Sequence, residues 1–106
     1  MESVAIDPML MRNAATSVAD KLKILANPER LLLLCQLSQG ERCVSDLEAV
    51  LDIRQPTLSQ QLGVLRAEGV VSTRREGKYV YYRVADDKLL RLLATLYDLY
   101  CPKEAS

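Results

Sequence analysis

The stretch that decides the fold is QPTLSQQLGVLRAEGVV, Gln55 to Val71. Proline early in a helix is preset in φ and lacks only an N–H that would go unpaired there. A helix is therefore expected from Gln55-Pro56-Thr57, with proline at its first helical position, to Ala67, stopped by Gly69. At about 100° per residue, Leu58, Leu62 and Leu65 share one face and must be core. The other face collects Pro56, Thr57, Ser59, Gln60, Gly63, Val64 and Ala67, and none of these carries a charge. A water-facing helix normally recruits Lys and Glu for solubility, so this face asks for another neighbour.

A DNA major groove is such a neighbour. Gln55 and Gln60 can bond an adenine edge bidentately, Thr57 and Ser59 can bond bases or phosphates, and Gly63 permits close approach. Arg54 at the start of the helix and Arg66 near its end can hold phosphates on either side. The plainer alternative is a solvated polar face with ordinary surface charges.

Working outward, Ser45 and Glu48 stand in capping-box spacing ahead of a short helix from Ser45 to about Leu51, and Asp52-Ile53-Arg54 is a tight connection. Two short helices so joined make a helix-turn-helix over about residues 44–68. Downstream, VVSTRREGKYVYYRV reads as two β-rich arms around Glu76-Gly77, a wing over about 70–84 whose Arg74, Arg75 and Lys78 can reach the backbone or minor groove.

At the N-terminal side, residues 9–25 place Leu10, Ala14, Val18, Leu22 and Leu25 on a helical stripe, with Asp7-Pro8 as a start signal. Asn27-Pro28 caps a second helix, PERLLLLCQLS, closed by Gly40 and apolar on most sides. The last helix, about 86–101, carries Leu89, Leu92, Leu93, Leu96, Leu99 and Tyr100, with Pro102 ending it. The expected architecture is one domain over 1–106, mainly α with a β-hairpin wing, in the order α-α-α-α-β-β-α.

Composition narrows the function. Charges balance at net zero over 106 residues, yet Arg54 to Arg83 holds six basic residues against two acidic, an excess of +4. A polyanion would be met there. No window reaches the roughly 18 apolar residues of a membrane span, so no membrane partner and a cytoplasmic address are expected. An odd count of three cysteines does not describe a disulfide-stapled scaffold, and the absence of histidine removes imidazole bases and histidine-containing zinc sites together. There is no C-x-x-C, no phosphate-cradling glycine loop and no paired acids in an evident cleft, so neither an enzyme nor a bound cofactor is expected. A chain this short buries only about 60–70% of its unfolded surface, a deficit that a helical dimer interface would make up.

The order of elements, together with LANPERLLLLCQL, QPTLSQQLGVLRAEGVVSTRREGKYVYYRV and the closing leucine-rich helix, resembles the arsenic-repressor (ArsR/SmtB) family from about Ala19 to Cys101. The resemblance implies a winged helix-turn-helix homodimer, joined through the terminal helices at about 9–25 and 86–101, that sits on double-stranded operator DNA and leaves it when an inducer binds.

It also frames the cysteines. Where metal-sensing members carry Cys-Val-Cys, this chain reads Cys43-Val44-Ser45, and a hydroxyl is a poor ligand for a soft metal. The Asp and His site of zinc and nickel sensors lacks its histidines. Cys35 and Cys101 match the two thiols of the sulfide- and redox-sensing, BigR-like branch, in which persulfide or oxidant bridges them within a protomer. Three readings stay open: Cys35 as a small apolar filler, a three-thiolate metalloid site of Cys35, Cys43 and Cys101, and an anti-repressor that displaces another DNA-bound protein.

Overall fold

Gln55–Ala67 forms a helix in the computed structural model, which describes residues 7–101. Numbered along the chain, the elements are α1 (Pro8–Leu25), α2 (Pro28–Leu37), β1 (Arg42–Cys43), α3 (Val44–Leu51), α4 (Gln55–Ala67), β2 (Val71–Glu76), β3 (Tyr79–Val84) and α5 (Asp87–Tyr100). Leu58, Leu62 and Leu65 of α4 are all buried, as their spacing requires. They meet Leu33, Leu34 and Leu37 of α2, Leu47 of α3 and Leu89 and Leu93 of α5 in one core. α2 is its hub, packing against α1, α3, α4, α5 and β3. Leu32 faces outward, so α2 is not apolar-buried all round.

The helix starts follow from short polar side chains. Asp7 accepts from the Met9 N–H at 2.8 Å, Asn27 from Glu29 and Arg30 at 2.9 and 3.1 Å, and Asp86 from Lys88 and Leu89 at 2.9 and 3.1 Å. α3 departs from the expected start. Its N-cap is Cys43, in extended conformation with no side-chain cap bond, and Ser45 lies inside the first turn with its hydroxyl 3.2 Å from the Cys43 sulfur. The capping box is therefore not formed, because the chain is already held extended at Cys43 by sheet pairing. Pro56 likewise falls one residue inside α4, after Gln55 and the cap position Arg54. Asp52 closes α3 in the left-handed region, at φ 53°, which turns the chain sharply into α4.

The wing has three strands rather than two. Arg42 and Cys43 pair antiparallel with Tyr82 and Tyr81, giving the order β1-β3-β2. β2 and β3 are joined by Gly77-Lys78, with Gly77 at φ 62° as a two-residue hairpin turn requires at that position. Tyr82 and Val84 point to the core while Tyr79, Tyr81 and Arg83 alternate to the other face.

The terminal helices leave apolar surface uncovered. On α1, Leu10, Val18 and Leu22 are 65%, 52% and 50% exposed, and on α5 Leu99 and Tyr100 are exposed as well. Of the α1 stripe only Leu25 is buried within the chain. Lys21 ties α1 to the start of α5 through Asp86 at 3.3 Å. The predicted stop at Pro102 lies outside the described residues, where α5 has already ended at Tyr100. Among the described residues no helix is long and apolar enough to cross a membrane.

Candidate nucleic-acid interface and thiol pair

The outer face of α4 presents Pro56, Ser59, Gln60, Gly63, Val64 and Ala67 to solvent, with Thr57 half-buried. Gln55 is exposed at the first turn, and Arg54 and Arg66 are exposed at the two ends. Nothing crowds Gly63, whose missing Cβ would meet no atom within 4 Å, so its value lies in how closely the helix can approach a partner. The expected groove-facing residues thus lie on one side of α4, opposite its leucines.

Gln61 is the exception on this helix. It is half-buried, and its Oε1 accepts from Arg30 Nη1 at 3.3 Å. The same guanidinium donates from Nε to the Ile24 carbonyl at 2.9 Å and from Nη2 to the Lys23 carbonyl at 3.5 Å, the last turn of α1. Arg30 therefore joins α1, α2 and α4 through one planar fork, bonding carbonyls in the last turn of α1. No local pattern signals this, since the partners are 6, 7 and 31 positions away.

The wing's three expected cations are not equivalent. Arg75 and Lys78 are exposed and form no ion pair among the described residues, Lys78 lying 5.6 Å from the Tyr79 ring centroid. Arg74 is engaged. Its Nε donates to both carboxylate oxygens of Glu41 at 2.9 Å, its Nη2 lies 2.8 Å from Glu41 Oε1, and its Nη1 bonds Glu76. The Arg74 bond holds the Glu41 carboxyl below the usual glutamate range, and its two acidic partners raise Arg74 further above its already high value.

The cysteines separate into one and two. Cys43 is buried beside Ser45 at the start of α3. Cys35, near the end of α2, and Cys101, at the end of α5, are both half-buried. Their two helices pack together, and burial first, then the charge of Cys101, raises the Cys35 thiol above its ordinary range. Cys35 also packs at the margin of the core, which fits the filler role. Among the described residues no three Cys, Asp or Glu side chains are gathered to hold a metal ion, so the three-thiolate site is not assembled within the chain.

A raised thiol stays protonated in the folded chain. Its contribution to stability is complete below the ordinary thiol range and is lost as pH rises through the raised value. Iodoacetamide labelling of Cys35 should therefore climb at higher pH than that of a free cysteine, and Cys101→Ser should move the profile back down. Identical profiles in the two proteins would mean that the thiols do not sense each other.

A family model described as bacterial regulatory protein, arsR family, matches residues 27–73, from the cap of α2 into the wing. The biofilm growth-associated repressor of Agrobacterium fabrum is 60% identical over 94 residues, covering 89% of this chain and 80% of that protein. The chain belongs to the ArsR family of bacterial regulatory proteins. The solved transcriptional repressor BigR from Xylella fastidiosa superposes at a TM-score of 0.82 with 45% identity, over 92% of this chain and all of that one, at 100%. Reduced HlyU from Vibrio cholerae matches at 0.79 with 36% identity, over 89% and 98%. This ArsR-family chain is thus a winged helix-turn-helix, DNA-binding transcriptional regulator, the architecture expected from its sequence with one short strand added.

Proposed function

We propose that the chain is a homodimeric repressor that occupies operator DNA when reduced and releases it when Cys35 and Cys101 are bridged. The observation that carries the sensing half is the placement of two free, half-buried thiols, Cys35 and Cys101, near the ends of the packed helices α2 and α5, in a chain without histidine. The names of its relatives from Agrobacterium fabrum and Xylella fastidiosa, both repressors, support the regulatory half.

Each protomer acts as a single DNA-binding unit. Arg54, Gln55, Thr57, Ser59, Gln60, Gly63 and Arg66 of α4 meet the major groove, and Arg75 and Lys78 extend the contact from the wing. The exposed leucines of α1 and α5 form the dimer interface. In support, the chain has a radius of gyration of 16.1 Å, against about 13 Å for a compact monomer of this length.

The inducer is a persulfide or another two-electron thiol oxidant. With a persulfide RSSH, the two protein thiols lose two protons and two electrons and form the Cys35–Cys101 disulfide, while RSSH takes up both and is reduced to RSH and hydrogen sulfide. A second persulfide can leave one extra sulfur in the bridge by the same balance. Bridging alters how α5 sits on α2, and α2 in turn contacts α1 and α4. The spacing of the two recognition helices then no longer matches half-sites about 34 Å apart. The protein works without catalytic turnover, in the reducing cytoplasm where its thiols are free.

In vitro selection from a random duplex pool tests this reading. The reduced protein should enrich a two-fold-symmetric sequence, and the persulfide-treated protein should enrich none. Equal enrichment by both would overturn the sensing half, and no enrichment by either would overturn the operator half. A second reading, activation by displacing another DNA-bound protein, rests on the transcriptional activator HlyU of Vibrio cholerae, 38% identical over 90 residues covering 85% of this chain. Transcription with purified components separates the two: a repressor lowers the basal rate alone, whereas a displacer acts only when the other protein is present.

A further inference from the structure

The wing carries a cation that its surroundings have already neutralised. Arg74 sits on β2 directly across from Tyr81 of the central strand β3, and Tyr81 in turn pairs with Cys43 of β1. These three positions form one row across the sheet. The guanidinium carbon of Arg74 lies 4.7 Å from the Tyr81 ring centroid, so the side chain runs along the row over the aromatic face. At the far side it reaches Glu41, immediately before β1, and takes that carboxylate through Nε and Nη2 together. Glu76 of its own strand holds Nη1. Arg83 also draws on Glu41, which leaves the two arginines and two carboxylates on this face with no net charge.

A phosphate is a poor competitor for such a group. To reach DNA, Arg74 would give up charge-assisted bonds to two carboxylates and its seat on Tyr81, and would leave both acids facing the polyanion. The strand it secures, by contrast, is in need of support. β1 has only two residues in the ladder, and Cys43 at its end is the cap position of α3. Whatever holds β1 to β3 therefore fixes where the helix-turn-helix begins relative to the wing.

We infer that Arg74 is a positioning residue, not a DNA contact: with Glu41, Glu76 and Tyr81 it clamps the wing to the start of the helix-turn-helix and leaves Arg75 and Lys78 as the wing's cations for DNA. This rests on the DNA-binding reading above only for its second half, because the clamp exists in the free chain. Arg75 stands one residue along β2, on the opposite face of the sheet from Arg74, which keeps the two arginines' tasks apart.

Two measurements on the full chain test it. In the free protein, hydrogen exchange of the β1 amide that bonds β3 should speed up severalfold in Arg74→Gln, Arg74→Lys and Glu41→Gln alike, and stay at the wild-type rate in Arg75→Gln. Lysine keeps the charge but lacks the fork, so it should fail as glutamine does. Unchanged exchange in the Arg74 and Glu41 variants would overturn the clamp. The second measurement is the salt dependence of binding to a duplex of arbitrary sequence. Arg75→Gln should lower the slope of log affinity against log salt by about one, whereas Arg74→Gln should keep the wild-type slope while binding severalfold more weakly. A slope lowered by about one in Arg74→Gln, with binding restored by Arg74→Lys, would overturn the inference and make Arg74 a phosphate contact. Absence of any salt-dependent binding in the wild type would instead sink the DNA-binding reading, and the exchange rates would still decide the clamp.

Discussion

Persulfide treatment should weaken operator binding by the wild-type protein about ten- to a hundredfold, within the 1–3 kcal/mol range typical of coupling between two sites. Cys35→Ser under the same treatment should keep its reduced affinity. The effect is expected to be large because of where Cys35 sits. α2 packs against α1, α4 and α5, so a bridge near its C-terminal end acts on the element that all three share. At its other end Arg30 links the α1 carbonyls to Gln61 of α4, which gives a displaced α2 a direct hold on the recognition helix. Interfaces and packed cores respond to such shifts by switching between arrangements rather than by deforming smoothly. Measured by titrating fluorescent operator with protein, an equal loss of affinity in Cys35→Ser and wild type would rule out the Cys35 bridge as the cause.

Leu62→Ala should lower the free energy of unfolding by about 3 kcal/mol, a large share of the roughly 5–15 kcal/mol that holds a domain of this size. Leu62 is 1% exposed, between Leu58 and Leu65 on the face of α4 that meets α2. Truncating it leaves a cavity where α4 is seated, without removing any side chain of its exposed face. Urea denaturation should show the midpoint falling with the slope unchanged. A loss under about 1 kcal/mol would mean that α4 is held by something other than its leucine face.

Much of this was legible from local pattern. The core face of α4 followed from Leu58, Leu62 and Leu65 alone, and the exposed groove-side residues followed with it. The Asn27 cap rests on chemistry within three residues and formed as expected, and the wing hairpin formed too, with its turn at Gly77-Lys78, one residue on from the Glu76-Gly77 expected. What escaped was non-local. β1 spans two residues, too few to show a period, and exists because β3 offers it an edge. That pairing moved the cap of α3 from Ser45 to Cys43. Counting charges placed Arg74 among the wing cations, but could not show its ion-pair partner Glu41, which lies 33 positions away. The exposed stripe of α1 could be read from Leu10, Val18 and Leu22, though periodicity alone cannot say whether a stripe packs within its own chain or outside it.

The central claim is that Cys35 and Cys101 of one chain form the switch. It is tested most directly by treating the reduced protein with a persulfide donor, capping the remaining thiols, and mapping the peptides by mass. The expected product is a single cross-linked pair containing Cys35 and Cys101, by a disulfide or by a bridge with added sulfur, with Cys43 still capped as a free thiol. Separate persulfides on Cys35 and Cys101, or a bridge that includes Cys43, would contradict it.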